Sequence, residues 1–179
     1  MNNTGENKRQ LTHGGGESFP SISTDGKWVV YTSLSVDRNT LWKVSLDGGA
    51  PVQITHSSLC IKPVVSPDGQ KLACVYRTDE ADEWKIALVS IVEGQVLQTF
   101  ALPYPYNQVI RWSPDGSALN FVSKRDGASN IWQQSLEGSL PVQITNFTED
   151  LIYYYDWSDD ALVVSRGTKL RDIVLIRNF

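Results

Sequence analysis

The stretch that decides the fold is Arg111-Trp112-Ser113-Pro114-Asp115-Gly116, followed by Ala118-Leu119-Asn120-Phe121-Val122-Ser123. Proline presets the backbone angle at the first central position of a tight turn, aspartate bonds its own backbone, and glycine adopts a positive φ at little cost. The segments on both sides of the turn are rich in residues that favour β-strands. The stretch therefore predicts two strands joined by a tight turn.

The same unit recurs along the chain, which indicates an internal repeat. The turn aspartates of the four copies are spaced by 43, 47 and 45 residues and are Asp25, Asp68, Asp115 and Asp160. Repeats of this length are typical of solenoids, propellers and arrays. We place the repeats at approximately 14–55, 56–102, 103–145 and 146–179, within a single domain.

Each repeat contains four segments of strand length, except the last, in which only three are found. Apolar residues recur at every second position or in short runs, and helical periodicity is absent. The second segment is apolar on both faces, as in Val29-Val30-Tyr31, which suits a sheet packed between two other sheets. Because such sheets are the blades of a β-propeller, the predicted fold class is all-β, a β-propeller with four four-stranded blades.

Residues 8–13 have the character of a fourth strand, although they precede the first repeat. Their centre, Gln10-Leu11-Thr12, matches Gln53-Ile54-Thr55 and Gln143-Ile144-Thr145 in the complete repeats. The third segment of the last repeat, residues 173–178, would be an apolar edge that promotes association if it stayed unpaired. We therefore predict that residues 8–13 supply the missing outer strand of the last blade.

The origin of that outer strand decides the predicted assembly. Within one chain, the strand closes a small four-bladed ring. Between two chains, each copy forms half of an eight-bladed dimeric ring with two-fold symmetry. We favour this homodimer, formed through strand exchange. The third alternative is a partial propeller cut from a longer one.

Composition limits the partners and the location of the protein. A net charge of −4 argues against nucleic acid as the main partner, because phosphate binding needs a basic field. No apolar run approaches the roughly 20 residues of a membrane span, and the polar N-terminus has no signal-peptide core. We expect a cytoplasmic protein if the chain is complete, and a periplasmic or extracytoplasmic one if it belongs to an exported or anchored protein.

The two cysteines, Cys60 and Cys74, flank the turn of the second repeat, so that its hairpin can bring them near each other. Two cysteines do not make the disulfide framework of a small secreted domain. We interpret them as two small, buried apolar residues.

Several motifs carry a resemblance to a known family, and the third repeat shows them best. They are Trp112-Ser113-Pro114-Asp115-Gly116, Ser123-Lys124-Arg125-Asp126-Gly127, and Asn130-Ile131-Trp132 with Leu136-Glu137-Gly138. With these motifs the chain resembles, over nearly its whole length, the TolB-like, WD-repeat-like β-propeller repeats. The resemblance implies a propeller that binds proteins or stands before a serine peptidase. Residues 165–168 and 172–176 look like the end of propellers attached to bacterial serine/threonine kinases or winged-helix regulators.

Catalytic constellations are scarce in the sequence. There is no Gly-x-Ser-x-Gly nucleophile elbow and no Gly-Lys-Ser/Thr phosphate-binding motif. His13 and His56 are the only histidines, occupy equivalent positions in successive repeats, and are too few for a zinc site. We therefore predict no catalytic residue, no metal and no cofactor.

Propeller topology nevertheless predicts a loop face that binds a partner. In an up-and-down blade, the loop between the second and third strands and the loop into the next blade lie on the same face. Loops on a rigid scaffold often carry binding residues. The candidates, called the loop-face set, are His13, Arg38, His56, Arg77, Lys124, Arg125, Asn146 and Arg166.

A second candidate site lies on the inner strands. Arg111 and Asp156 occupy equivalent positions in adjacent repeats, and inner strands of neighbouring blades converge near the propeller axis. We predict that these side chains form an ion pair, or share a water network, lining the channel. Both a structural role and a role in lining a ligand channel are open.

The leading functional interpretation is a non-enzymatic protein or peptide recognition module, or a sensory scaffold, of β-propeller type. The alternative is an accessory or regulatory propeller of a larger enzyme, such as a serine hydrolase or a serine/threonine kinase. A structural repeat array without a small ligand is the third.

Overall fold

A computed structural model describes residues 6, 8–34, 39–56, 59–79, 82–101, 109–158 and 161–168. All helix or strand structure in these residues is β-strand, arranged in consecutive antiparallel sheets. The first sheet contains β1 (Glu17–Ile22), β2 (Trp28–Ser33), β3 (Thr40–Ser45) and β4 (Val52–Gln53). The second contains β5 (Leu59–Val65), β6 (Lys71–Arg77), β7 (Lys85–Ser90) and β8 (Val96–Ala101). The third contains β9 (Arg111–Trp112), β10 (Ala118–Arg125), β11 (Ala128–Ser135) and β12 (Val142–Gln143), and the fourth contains β13 (Leu151–Ser158) and β14 (Ala161–Gly167).

The predicted all-β fold of four blades is confirmed by this arrangement. Each sheet is an up-and-down meander in which every strand pairs with the next one along the chain. The predicted third strand of the last repeat, residues 173–178, lies outside the described residues. The prediction of repeat boundaries stays a prediction.

The repeated turn owes its shape to a hydrogen-bonded serine and aspartate. In the third sheet, the Ser113 hydroxyl donates to Asp115 Oδ1 at 2.6 Å, and Ser117 N–H donates to the same oxygen at 3.1 Å. Gly116 follows with a φ of 73°, the left-handed conformation that glycine adopts easily. These hydrogen bonds stabilise the charged carboxylate and lower the pKa of Asp115 to about 2.

The core consists of layers of side chains between successive sheets. Leu72 and Cys74 on β6 pack towards Val30 of the first sheet, whereas Ala73 on the same strand packs towards Phe121 of the third. These residues are all at most 1% exposed. A strand that is apolar on both faces, as the sequence predicts, is therefore buried between two neighbouring sheets.

Cys60 and Cys74 form a disulfide, which corrects the prediction that they are separate apolar residues. Both are fully buried, and their Cα atoms are 5.9 Å apart. Cys60 on β5 lies opposite Tyr76 on β6, so Cys74, two residues from Tyr76, is its diagonal neighbour on the same face. The disulfide therefore joins β5 and β6, the first two strands of the second sheet.

Residues 8–13 form no strand within this chain, and their predicted role as the outer strand of the last blade stays a prediction, because residues 173–178 lie outside the described residues. Residues 8–13 lie beside the first sheet, where Arg9 Nη1 donates to the carbonyl of Asp47 at 3.1 Å. Gln10 still donates from Nε2 to the carbonyl of Thr12 at 2.7 Å, as Gln143 does to Thr145 in the third sheet. The segment therefore shares one local hydrogen bond with a fourth strand but has no strand partner among the described residues.

Candidate binding site on the inner strands

A cavity of about 570 Å³ opens where the first strands of all four sheets converge. Two positions of the repeat line this cavity in all four sheets. Counted back from the turn serines, the residues four positions earlier line it, and they are Phe19, Lys62, Val109 and Tyr154. The residues two positions earlier also line it, and they are Ser21, Val64, Arg111 and Asp156.

Arg111 and Asp156 form the ion pair that the sequence predicts. Arg111 Nε is 3.2 Å from Asp156 Oδ1, and the side chains are 21% and 51% exposed. The guanidinium also lies over the ring of Tyr154 at 5.1 Å and donates from Nη2 to the Tyr154 hydroxyl. Because one cation contacts a carboxylate and an aromatic ring of the next sheet, this cluster holds the third and fourth sheets together at the cavity wall.

Lys62 and Phe19 form a second cation–aromatic pair, which sequence reasoning missed. Lys62 Nζ lies 5.4 Å from the centre of the Phe19 ring, so this pair joins the second sheet to the first. Both residues have a positive φ, 56° and 54°, at irregularities in the pairing of β5 and β1. The only sequence signal is the proline that follows each of them at the same repeat position.

The rest of the wall is largely apolar and rigid. Trp112 and Trp157 contribute aromatic surface, and prolines come from three sheets. They are Pro20, Pro63, Pro67 and Pro114. This composition is typical of a binding cavity, in which apolar surface surrounds a few polar groups.

Tyr155 supports the wall from the core. It is fully buried, and its hydroxyl donates to the carbonyl of Val109 at 3.0 Å. Burial is the main cause that raises the pKa of Tyr155 far above its ordinary value. Tyr155 is therefore a neutral hydrogen-bond donor that fixes the position of Val109.

Three arginines of the loop-face set lie in the described residues, and each stacks on an aromatic side chain. The guanidinium carbons of Arg77, Arg125 and Arg166 lie 4.4, 4.0 and 4.0 Å from ring centres, which belong to Trp84, Trp132 and Phe147 respectively. Arg166 also forms an ion pair with Asp150 at 3.4 Å. These contacts fix the direction of the guanidinium groups within the propeller.

The other members of the loop-face set are less constrained. His13, His56, Lys124 and Asn146 are exposed, and Arg38 lies outside the described residues. His13 lines a separate cavity of about 440 Å³, formed with Gln10 and the turn at Gly48. The function of the loop-face set therefore stays a prediction.

Metal-binding and membrane-spanning features were sought in the same parts of the chain. The described ranges contain no group of three or more His, Cys, Asp or Glu residues that could hold a metal ion. They also contain no helix with the length and apolar character required to span a bilayer.

One relative by sequence covers the greater part of the chain. An uncharacterized protein of Agrobacterium fabrum is 31% identical over an alignment of 123 positions, and the match covers 63% of this chain and 42% of that protein. The chain therefore spans less than half of this relative's length. No family model matches the chain.

Solved structures show which propellers share the fold. TolB from Acinetobacter baumannii matches with a TM-score of 0.68 and 21% identity, over 83% of this chain and 37% of the TolB chain. The fold is that of a TolB-like β-propeller. This TolB-like propeller also matches the β-propeller domain of the Trilobed protease from Pyrococcus furiosus, which has an open velcro topology. There the TM-score is 0.57 and the identity 21%, over 83% of this chain and 47% of that domain.

Proposed function

We propose that this propeller is a non-enzymatic recognition module that binds an extended peptide segment of a partner protein. The observation that carries the proposal is the cavity of about 570 Å³ on the converging inner strands. A cavity of this size falls within the ordinary range for ligand sites. Its charged groups, Lys62, Arg111 and Asp156, lie among aromatic residues and prolines.

The chemistry of the wall favours a peptide over other ligands. Aromatic residues, arginine and apolar side chains are enriched at protein-binding surfaces. Four prolines stiffen the wall, so that little conformational entropy is lost when a peptide binds. The net charge of −4 disfavours nucleic acid. The loop-face set would contact the parts of the partner that extend beyond the cavity.

The proposal is tested by selecting displayed dodecapeptides on the immobilised chain and titrating the enriched peptides against variants. Tyr154→Ala and Asp156→Arg change the cavity, and the control is Lys85→Gln, at an exposed position on β7 outside both the cavity wall and the loop-face set. We expect the cavity variants to weaken binding about tenfold or more, because a truncated hot spot commonly costs that much. Enriched peptides that bind all variants equally, or a selection without enrichment, would contradict the proposal.

The loop-face set has its own test with the same peptides. Charge reversal of Arg125 and Arg166 is expected to weaken any peptide that reaches this face. Because both arginines stack on aromatic rings, thermal unfolding of each variant must be measured beside binding. Unchanged binding by a folded double variant would remove the loop face from the site.

An accessory role in a larger enzyme is the second candidate function. The observations that favour it are the match to the propeller domain of a protease and the chain's coverage of less than half of the relative's length. Comparing the complete gene product with the isolated chain would test it: a catalytic domain in the same polypeptide supports this role, and its absence contradicts it.

We also infer that the two terminal sheets are covered by another propeller surface, provided by a second copy of this chain. At the position of Trp112, which is 7% exposed, the first sheet has Ile22, which is 62% exposed. At the position of Asn120, which is fully buried, the fourth sheet has Val163, which is 60% exposed. Trp112 and Asn120 are each covered by a neighbouring sheet. Ile22 and Val163 lie on the terminal sheets, so they expose surface that is buried at the equivalent internal positions.

Light scattering tests this homodimer. The chain has a mass of 20.0 kDa, so a species of about 40 kDa supports the dimer and a monomer contradicts it. Deleting residues 1–13 should abolish a dimer that forms by strand exchange. A truncated chain that still dimerises would show that residues 8–13 are not the exchanged strand.

A further inference from the structure

We propose that Lys62 binds a carboxylate of the peptide in the inner-strand cavity. This inference rests on the proposed function and names the chemical group that the cavity selects. Its source is either the C-terminal carboxylate of the peptide or an acidic side chain, because both present the same anionic oxygens to an ammonium group.

The backbone at Lys62 is the first observation. Four non-glycine residues in the described ranges have a positive φ, and two of them, Asp126 and Asp150, lie outside the strands. The other two, Phe19 and Lys62, lie inside strands that line the cavity. Bulges in strands re-aim side chains beside functional sites, and strained backbone of this kind is concentrated at ligand-binding positions.

The position of Lys62 within the repeat is the second observation. The equivalent residues of the other three sheets are Phe19, Val109 and Tyr154, none of which carries a charge at neutral pH. An irregular pairing at this position is common to β1, β5 and β13, but only β5 places a cation there. The charge is therefore specific to one side of the cavity and is not a requirement of the fold.

The balance of charge in the cavity is the third observation. Arg111 is already paired with Asp156 at 3.2 Å. In the described part of the chain, no carboxylate lies within ion-pair distance of Lys62. The cavity wall therefore carries one cation without an anionic partner, and an incoming carboxylate supplies it.

The surroundings of Lys62 strengthen such a contact. Its ammonium lies over the Phe19 ring, in a cavity whose wall also includes Pro20 and Pro63. Apolar neighbours exclude water and lower the local dielectric, so a charge-assisted hydrogen bond is stronger there than on an open surface. A carboxylate on the far side of the ammonium leaves the contact with Phe19 in place.

A carboxylate fits this site better than a phosphate does. Phosphate sites commonly use arginine forks or several converging backbone N–H groups. The one arginine of the cavity wall already directs its Nε to Asp156 and its Nη2 to Tyr154. Lys62 offers a single compact charge, which suits a singly charged group.

The experiment uses four fluorescent octapeptides with one shared sequence of proline, leucine and alanine. The first has a C-terminal amide and no charge, the second a free C-terminal carboxylate, the third an internal glutamate with a C-terminal amide, and the fourth an internal lysine with a C-terminal amide. Fluorescence anisotropy gives the affinity of each for the wild-type chain, Lys62→Gln, Lys62→Arg and the control Lys85→Gln. Lys85 is exposed on β7, outside the cavity wall.

We expect one or both carboxylate peptides to bind the wild type about tenfold more tightly than the neutral peptide, the gain of one charge-assisted hydrogen bond. Lys62→Gln should abolish this preference, whereas Lys62→Arg and Lys85→Gln should keep it. The preference should also decrease as salt is added. Which carboxylate peptide binds identifies the source of the group.

The neutral peptide separates the two proposals. If all four peptides bind the wild type equally, the carboxylate site is wrong while peptide recognition stands. If no peptide binds, the recognition proposal fails together with the site. A carboxylate preference that persists in a folded Lys62→Gln chain would overturn the role of Lys62, and the unfolding midpoint of each variant shows whether it is folded.

Discussion

The interface between the first two sheets and the interface between the last two are built on the same repeat, yet they differ in chemistry. The first is apolar and contains a fully buried disulfide between Cys60 and Cys74. The last contains the Arg111–Asp156 ion pair, and Asn120 occupies the position that Val30 and Ala73 have in the earlier sheets. The repeat thus dictates the backbone of each blade, while individual residues decide the chemistry of each interface.

Asn120 lowers the stability of the last interface. It is fully buried, and neither its Nδ2 nor its Oδ1 atom has a hydrogen-bond partner among the described residues. An unsatisfied buried polar group lowers the free energy of unfolding. We therefore expect substitutions to reduce stability less at the end of the chain with Asn120 than at the end with the disulfide.

Truncating one leucine in each interface should give the largest difference. Leu72 is fully buried in the first interface, whereas its counterpart by strand register, Leu162, is half-buried. Leu72→Ala should lower the free energy of unfolding by about 4 kcal/mol, because it creates a cavity in a packed layer. Leu162→Ala should cost about 1 kcal/mol, measured by the same urea titration. Equal costs would show that the two interfaces are packed equally well.

Removing the disulfide should have the next largest effect. The double variant Cys60→Ala/Cys74→Ala should unfold with about 3 kcal/mol less free energy, the value for releasing a loop with a sequence separation of 14 residues. Because both cysteines are fully buried, mild reductant should leave the native disulfide intact unless urea is added. The thiol count under native and denaturing conditions provides the control, and free thiols in the untreated native chain would contradict this prediction.

Asn120→Val should stabilise the chain, in contrast to the two preceding changes. Valine is the residue of the first sheet at this position, and it removes two polar atoms that have no partner. We expect a gain of about 1 kcal/mol in the free energy of unfolding. The matched control is Val30→Asn in the first interface, which should destabilise the chain by burying the same amide there. A loss of stability with Asn120→Val would indicate that the amide is satisfied by a partner in solution.

The smallest expected effect is a loss of stability at acidic pH, which is caused by the aspartates of the repeated turns. Hydrogen bonds from serine hydroxyls, chiefly, lower the pKa of Asp25, Asp68 and Asp115 in the folded chain, the last to about 2. A carboxylate with a lowered pKa stabilises the folded state above its unfolded pKa of about 3.9, and this contribution is lost as the pH falls towards the folded value. Asp115→Asn should therefore flatten the loss of stability between about pH 4 and pH 2. Urea titrations of both chains across this range measure the slope, and parallel curves would contradict the assignment.

The blades were predictable because their signals are local in the chain. The serine, the aspartate and the glycine of each of the first three turns lie within four residues of one another, and their hydrogen bonds close the turn locally. Because the unit is repeated, contacts between adjacent blades could also be predicted. Because Arg111 and Asp156 hold equivalent positions in adjacent repeats, their contact could be predicted before the sheets were seen to pack.

The tertiary structure decided what the repeat does not encode. The register of β5 with β6 shifts between Ile61 and Val64, and the hydrophobic pattern of the sequence does not predict this shift. The shift lies beside Cys60, which is bonded to Cys74, and contains Lys62, whose ammonium lies over Phe19. These contacts join residues of different strands and different sheets, so they depend on register and packing, whereas the sequence by itself determined the repeated strands and the turns that connect them.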